Sequence, residues 1–485
     1  MSKMKIYNTL HQQKELLKPI EEKHVKIYAC GVTTYDDCHI GHAMQAVFFD
    51  MMRSYLEYVG YKVTYVRNYT DVDDKIIDRA KSLNMSPRQL AEEMIQSSKN
   101  DMEKLELRPA TFEPKVSECI PDIISMIETL IENKAAYKTT EGDVYYRVRQ
   151  KSDYGKLSNR KVDELLSGTR HLSQGSKEDP MDFALWKKDT TQDASWTSPW
   201  GTGRPGWHIE CSVMSKKYLG ACFDIHGGGR DLIFPHHENE IAQSESANKC
   251  SYASIWVHSG LLTINKQKMS KSLGNHIRIK DFLKKWDAEV LRFSYLQNHY
   301  SSNIDFSEKV FQNSRRRLFY YYQTLKLIED LSKDKPGEAE KVVSHDVKNF
   351  EDKFSQSMND DFNTPKAIAE MNIIIKKANK YLNSNPNKKI DELIKIAQVV
   401  VKVCSVFGLL QKDPSSFLNK NNQILLNELN LSEETIQEEI KKRQEARDEK
   451  NWAVSDKIRE NLFEKGIMLQ DSGEKTTWIL KDVLD

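Results

Sequence analysis

Two short segments carry residues suited to handling phosphate. In Cys38-His39-Ile40-Gly41-His42, two imidazoles flank a glycine. The segment falls between an expected strand and the start of a helix, where backbone N–H groups and the helix dipole favour an anion. Gly41 leaves room for a nucleotide to approach the backbone. In Lys268-Met269-Ser270-Lys271-Ser272, followed by Leu273-Gly274-Asn275, two lysines sit among small residues. Lys268 and Lys271 can neutralise negative charge developing on a leaving pyrophosphate. Taken singly, the first segment reads equally as a turn with two surface histidines, and the second as a solvated basic loop. Their joint occurrence, in this order around one α/β pattern, is far more specific.

A second set is scattered. Cys30, Cys211, His236 and Glu240 supply two thiolates, an imidazole and a carboxylate, a tetrahedral donor set suited to zinc. Soft sulfur binds such an ion far better than a hydroxyl does. His236 and Glu240 are four residues apart and share one face of a helix. His237 stands three from Glu240 and pairs with it as readily, so spacing leaves the histidine open. Each residue also has an ordinary reading. A buried free cysteine is usually a small hydrophobe, and a His–Glu pair at this spacing is usually a surface hydrogen bond.

These residues need a scaffold, and the hydrophobic pattern gives one. Val25–Cys30 alternates as a strand, and Val47, Phe48, Met51, Met52, Tyr55, Leu56 and Val59 recur at helical spacing up to Gly60. Tyr61–Val66 alternates again. A strand, a crossover helix and a strand imply parallel pairing in an α/β sheet. Helical periodicity continues over Lys75–Leu83 and 88–135. Residues 138–195 are irregular and short-stranded. Strands return at Cys222–His226 and Ile255–His258, with a helix over Leu232–Ala247 that Asp231 would cap. Segments 313–332, 346–358, 364–382 and 390–408 suggest a helical bundle. A polar linker, Asp413–Gln423, leads to a small terminal module.

The bulk properties set bounds. A chain of 485 residues suggests about three domains. The 72 basic and 71 acidic residues leave a net charge of +1, so any nucleic-acid binding must come from local patches. Met1 to Lys23 has no apolar core of signal-peptide type, and no apolar run is long enough for a membrane span. These features predict a cytoplasmic protein without membrane contact. Seven scattered cysteines, with no paired CxxC signature, argue for a reducing compartment and against a disulfide framework. With no coiled-coil stripe, a monomer is expected.

The two phosphate segments resemble, letter for letter, the HIGH and KMSKS signatures of class I aminoacyl-tRNA synthetases. The strings Ala29-Cys-Gly-Val-Thr-Thr-Tyr-Asp36, Arg204-Pro-Gly-Trp-His-Ile-Glu-Cys-Ser212 and Asp224-Ile-His-Gly-Gly-Gly-Arg-Asp-Leu-Ile-Phe-Pro-His-His-Glu-Asn-Glu240 are similar to those of cysteinyl-tRNA synthetases. The resemblance runs on through Ser357–Ala367, Arg443–Ala453, Ser455–Arg459 and Thr477-Trp478. Two departures stand out: Ala43-Met44-Gln45 replaces a Gly-Arg-Thr-like run, and Asp37 stands where leucine is common.

The resemblance implies one Zn2+ per chain on Cys30, Cys211, His236 and Glu240, holding the substrate's thiolate. It implies ATP, with Mg2+, as co-substrate. His39 and His42 would hold the triphosphate, Gly41 would pack near adenine, and Lys268 and Lys271 would stabilise the transition state. Gly229 and Asp231 would contact the nucleotide, while Thr70, Trp207 and His226 would line the amino-acid pocket. Trp207 also reads as simple packing. The other cysteines, Cys38, Cys119, Cys222, Cys250 and Cys404, have no such match and read as structural.

The implied activity is ligation of L-cysteine to tRNA(Cys) through an adenylate. The implied architecture is a Rossmann-type parallel-sheet catalytic domain in halves 1–117 and 203–262, with a connective insertion at 118–202. A KMSKS and stem-contact region (263–312), a helical bundle (313–424) and an anticodon-binding module (425–485) follow. In that module Trp452 or Trp478 would stack an unpaired base. Rival readings are a cysteine ligase acting on a small amine, a noncatalytic tRNA-binding paralogue, and a methionyl-tRNA synthetase. Little sequence between His42 and Lys268 is left for an editing domain.

Overall fold

The computed structural model describes residues 3–160, 177–268, 275–333, 344–384, 386–472 and 475–480. After an N-terminal hairpin of β1 (Lys5–Asn8) and β2 (Gln13–Leu16), the centre is a four-stranded parallel sheet built from β3 (His24–Thr33), β4 (Lys62–Thr70), β10 (Phe223–Gly229) and β11 (Ala253–Ser259), in the order β11-β10-β3-β4. The chain leaves β3 toward β4 and leaves β10 toward β11, on opposite sides. The order therefore reverses between β3 and β10, and a crevice opens beyond the carboxyl ends of those two strands.

Alternation along the strands divides the core. Val25, Ile27 and Ala29 of β3, with Ile225 and Val257, face the helix Ile40–Tyr58 and, behind it, the helical bundle. Tyr28 and Cys30, with Phe223 and Trp256, face the helices Ile120–Glu132 and Trp207–Leu219. A strand buried on both faces reads as a continuous apolar run, as Ile27–Cys30 does within β3, whereas the strand's start alternates around Lys26. Cys30 and Ala29 are thus sent to opposite sides by a period of two. Just beyond Cys30 the pairing with β4 shifts register between Ala29 and Val32. A Cβ on Gly31 would meet the Asn68 carbonyl oxygen at 1.6 Å, so only glycine fits this bulge.

Along the chain, the segment between the two halves of the sheet forms a five-stranded antiparallel sheet, order β5-β6-β7-β9-β8, over Ala136–Lys138, Val144–Tyr146, Phe183–Lys188, Gly201–Pro205 and Trp196–Ser198. C-terminal to the parallel sheet, helices Glu308–Ser332, His345–Met358, Thr364–Ser384 and Ile390–Cys404 form the bundle expected from periodicity. Helices Glu433–Asp448 and Trp452–Glu464 then pack on the hairpin Ile467–Ser472/Lys475–Leu480. No helix among the described residues is long and apolar enough to cross a membrane.

Four expectations need correction. The linker expected at Asp413–Gln423 lies mostly in a helix, Pro414–Glu428, capped by Asp413 with proline in its first turn. Phe417, Asn421 and Leu425 recur at helical spacing on its buried face. The helical stretch expected at 88–135 is two helices, Pro87–Lys104 and Ile120–Glu132. The segment between them, with Pro109 and Pro114, bridges β4 at Phe112 and Lys115. The helix expected from Leu232 begins only at Glu238. Phe234, held extended (φ −137°, ψ 132°) before Pro235, interrupts it. Asp231 is therefore an exposed turn residue and caps nothing. Finally, Cys222 and Cys250 form a disulfide where none was expected, while the other five cysteines are free and buried. The strand β10, the helix Glu238–Asn248 and their turns bring the ends of that segment together.

The parallel-sheet half and the bundle share one continuous core, and Arg292 sits at the seam. Its buried guanidinium donates to Phe407 O (3.1 Å), Leu105 O (3.2 Å), Glu106 O (3.0 Å) and Asp50 Oδ2 (2.8 Å). Gly408, at φ +61°, leaves space for it: a Cβ there would lie 2.3 Å from a guanidinium nitrogen. Asp50 belongs to the helix Ile40–Tyr58, and its other oxygen lies 3.5 Å from Arg108. Arg292→Met should destabilise the protein by about 3 kcal/mol, because a buried carboxylate loses its main partner. Arg292→Met/Asp50→Asn should recover part of that loss in denaturant unfolding. Stability within about 0.5 kcal/mol of wild type for the single variant would show the seam to be held otherwise.

Candidate active site and metal centre

Three separate segments deliver four donor atoms to one buried point. Cys30 comes from the end of β3, and Cys211 from the first turns of the helix Trp207–Leu219. His236 comes from the turn before the next helix, and Glu240 from that helix's first turn. Their Sγ, Sγ, N and O atoms lie within 4.8 Å of one another, all buried. The sulfurs are 3.7 Å apart, Cys30 Sγ is 3.4 Å from Glu240 Oε1, and His236 Nε2 is 3.1 Å from the same oxygen. Zinc bond lengths of about 2.0–2.3 Å around a tetrahedron give edges of about 3.8 Å between sulfurs and about 3.3 Å between N and O. The donors fit such an ion.

The partners behind them fix orientation. His236 Nδ1 lies 3.0 Å from His208 Nδ1, and Trp207, 39% exposed, stacks on the His236 ring at 4.3 Å. Glu240 Oε2 is held by His226 Nε2 at 2.8 Å and by the Tyr252 hydroxyl at 3.0 Å. His226, expected to line the pocket, is fully buried behind Glu240 and stacked on Trp256 at 4.4 Å. His237 also approaches: its Nε2 is 3.3 Å from Cys30 Sγ, while its Nδ1 pairs with His258 at 2.8 Å. A second four-donor grouping, Cys30, His226, His237 and Glu240, is therefore sterically possible. The grouping with His236 is the one that includes both sulfurs.

Burial dominates the electrostatics. It raises the Cys30 thiol well above its ordinary value, reinforced by Cys211 and Glu240, and it raises Cys211 as well. It pushes His236 down to about 3. Burial would also raise Glu240, but His226, His236 and the Tyr252 hydroxyl outweigh it and hold that carboxyl below its usual range. The four donors thus combine two neutral thiols, a neutral imidazole on His236 and one carboxylate. Thr70 is buried nearby, its hydroxyl donating to Glu210 Oε2 at 3.0 Å.

The phosphate segment lies just beyond β3. His39 caps the helix Ile40–Tyr58: its Nδ1 accepts from Gly41 N (3.0 Å) and His42 N (3.4 Å), and His42 Nδ1 accepts from His39 N (3.4 Å). The two rings stack at 3.7 Å. Because both Nδ1 atoms accept, each neutral ring carries its proton on Nε2, which remains a donor. Burial holds His39 down to about 3 and His42 to about 4. One turn on, Gln45 Nε2 donates to the Cys30 carbonyl at 2.7 Å, joining this helix to the thiol strand.

The chain after the second lysine motif returns to the same place. His276 packs edge-on against His39 at 4.9 Å, Ile40 N donates to Ile277 O (3.0 Å), and Ile279 N donates to Cys38 O (3.0 Å). Lys268 ends the strand Gln267–Lys268, which pairs with Leu262–Ile264, and Lys271 lies outside the described residues. Gly229 ends β10, at the crevice. Sequence reasoning missed Gln45, His208, Tyr252, His258 and His276. Only their positions near motif residues could have flagged them.

The matches to known proteins follow this geometry. Residues 16–316 match the family model for the class I (C) tRNA synthetase catalytic domain, and residues 353–411 match the DALR domain. The fold and crevice are those of a class I aminoacyl-tRNA synthetase. A structure of Mycobacterium tuberculosis methionyl-tRNA synthetase with methionyl-adenylate shares this fold, with a TM-score of 0.59 at 12% identity over 81% of this chain and 93% of that one. The chain is 45% identical to the cysteine–tRNA ligase of Thermodesulfovibrio yellowstonii, over 99% of this chain and 100% of that protein. It is 44% identical to that of Coxiella burnetii strain RSA 493, over 98% and 99%. The chain belongs to the cysteine–tRNA ligase family.

The donor geometry predicts that metal-free protein takes up a soft divalent ion with release of about two protons, one from each thiol. Cobalt titration with a pH indicator reads both. Cys30→Ser and Cys211→Ser should each lower the proton count and weaken the sulfur-to-cobalt absorption band. Undiminished uptake by both variants would show that the thiols are not ligands.

Proposed function

We propose that this protein activates L-cysteine with ATP and transfers it to tRNA(Cys). The observation that carries the reading is the pair of buried thiols grouped with an imidazole and a carboxylate, beside the histidine-capped helix. Cys30, Cys211, His236 and Glu240 would hold one Zn2+ per chain, which would supply a Lewis acid for the substrate's thiolate. Trp207 walls the site and keeps the His236 ring in plane. His226 and Tyr252 orient Glu240 through its second oxygen.

The protein's remaining residues act on ATP, which enters with Mg2+. His39 and His42, neutral and protonated on Nε2, donate to phosphoryl oxygens without adding fixed charge. Gly41 allows the nucleotide close to the first turn of the helix, and Gly229 and Asp231 flank it at the end of β10. The cysteine carboxylate attacks the α-phosphorus, and the bond to the β-phosphate's bridging oxygen breaks. Pyrophosphate leaves toward Lys268 and Lys271. No side-chain nucleophile is needed, because positioning and charge stabilisation carry the step. The terminal ribose hydroxyl of the tRNA then attacks the adenylate carbonyl, and AMP leaves. A site with such an ion would select a thiolate and reject serine at binding, where an apolar pocket discriminates poorly.

The terminal module supports the tRNA acceptor over a small amine. Trp452 is 59% exposed, whereas Trp478 packs against the module's core. An exposed aromatic ring offers a stacking platform for an unpaired base, which makes Trp452 the candidate.

Amino-acid-dependent ATP–pyrophosphate exchange should be driven by cysteine and not by serine or methionine, and should be lost on chelation and in Cys211→Ser. Exchange driven equally by serine would overturn the selection argument. Trp452→Ala should raise the KM for tRNA about tenfold and leave exchange unchanged. An unchanged tRNA KM would remove Trp452 from the interface.

A further inference from the structure

Asp37 places a carboxylate two residues before His39, and the structure gives it partners. Its carboxylate, 12% exposed, lies 2.5 Å from Lys280 Nζ and 3.4 Å from an Arg278 guanidinium nitrogen, and accepts from Ser97 Oγ at 2.9 Å. Burial alone would raise this carboxyl, but Lys280, Ser97 and Arg278 together hold it below its usual range. The remaining charges around it are few. Asp101, on the helix Pro87–Lys104, is buried with one oxygen unpartnered, and its carboxyl is raised to about 6 by burial and then by Asp37. Asp281 pairs with Arg278 at 2.6 Å and Lys284 at 2.8 Å. Two cations from the segment after the lysine motif, Arg278 and Lys280, thus converge on the one carboxylate that stands two residues before His39.

This ion cluster sits on top of a backbone zipper. Ile40 N–Ile277 O and Ile279 N–Cys38 O pair the two segments antiparallel, with His39 opposite Arg278. Asp37 stands two residues before His39, and Arg278 seven residues after Lys271. The main chain alone sets the pairing of the strands. A charged contact at its open end adds a restraint on how the lysine-bearing segment leaves the histidine turn. The contact is made by long, partly exposed cationic side chains, so its energy is modest and it acts on geometry more than on stability.

We infer that Asp37 is a positioning residue for ATP: through Lys280 and Arg278 it clasps the exit of the lysine motif to the histidine-capped turn, so that both motifs meet one triphosphate. The inference rests on the reading that this crevice binds ATP. Asp37 itself touches no substrate. Removing its charge weakens ATP without disturbing cysteine, because the thiol cluster lies on the other face of β3 and shares no side chain with the clasp.

The test is ATP affinity by isothermal titration calorimetry on the zinc-loaded full-length protein, together with KM values for ATP and cysteine in pyrophosphate exchange. Asp37→Asn should weaken ATP about three- to tenfold, with the cysteine KM, zinc content and thermal midpoint unchanged. Asp37→Lys should weaken it further, and Asp37→Lys/Lys280→Asp should restore at least half of the lost affinity, because the swap rebuilds the contact with its polarity reversed. ATP bound equally by wild type and Asp37→Asn, or no recovery in the double variant, would overturn the clasp while leaving the proposed activity standing. Failure of the wild type to bind ATP would overturn both.

Discussion

A carboxylate with no exposure to water needs partners on both of its oxygens, and Glu240 has them. His226 and Tyr252 hold one oxygen, while the other faces His236 and Cys30. Much of the catalytic half is organised around meeting this requirement. β10 brings His226 beneath the carboxylate, β3 brings Cys30, and the helix Trp207–Leu219 brings Cys211. The interrupted turn before Glu238 turns His236 inward. Two neutral thiols beside a buried anion are stable as they stand and are primed for a cation, since the ion supplies the charge that the low-dielectric pocket otherwise lacks.

The parallel sheet then decides what lies next to this centre. Because strand order reverses between β3 and β10, the crevice opens where β3 ends. The histidine-capped helix starts ten residues beyond Cys30. Gln45 ties the two directly by donating to the Cys30 carbonyl. The thiol cluster lies on one face of β3 and the helix Ile40–Tyr58 on the other, so a thiol-bearing substrate and a nucleotide can be held separately and still meet at the strand end. Behind that helix the core continues without a break into the bundle, with Arg292 bridging four segments at the seam. The position of the phosphate turn is therefore linked mechanically to the helices that carry the terminal module.

What could be read in advance followed from local rules. The β3–helix–β4 unit, the return strands and the four bundle helices each announce themselves by periodicity, because a half-buried element must repeat its apolar residues at its own pitch. The helix Pro414–Glu428 escaped notice because its apolar residues are sparse and its surface polar, although Asp413-Pro414 is a helix-start signal. Pro235, a residue that cannot continue a helix interior, marked a break that a reading based on His236–Glu240 spacing passed over. The pairing of Cys222 with Cys250 depends on where the ends of β10 and of the following helix fall, which spacing does not reveal.

The sequence by itself determined the family, the two phosphate motifs and the residue types able to bind a soft metal, because motif identity and side-chain chemistry are local properties. Only the tertiary structure decided which of them meet. It set Cys30 and Cys211, 181 residues apart in the chain, at 3.7 Å. It moved His226 from the pocket wall to the support of Glu240, fixed the protonated nitrogens of His39 and His42 through helix capping, and exposed Trp452 while packing Trp478 away. The physical reason is common to all of these. Contacts between residues far apart in the chain depend on the register and crossing of whole elements, and that geometry is set by the packing of the complete core.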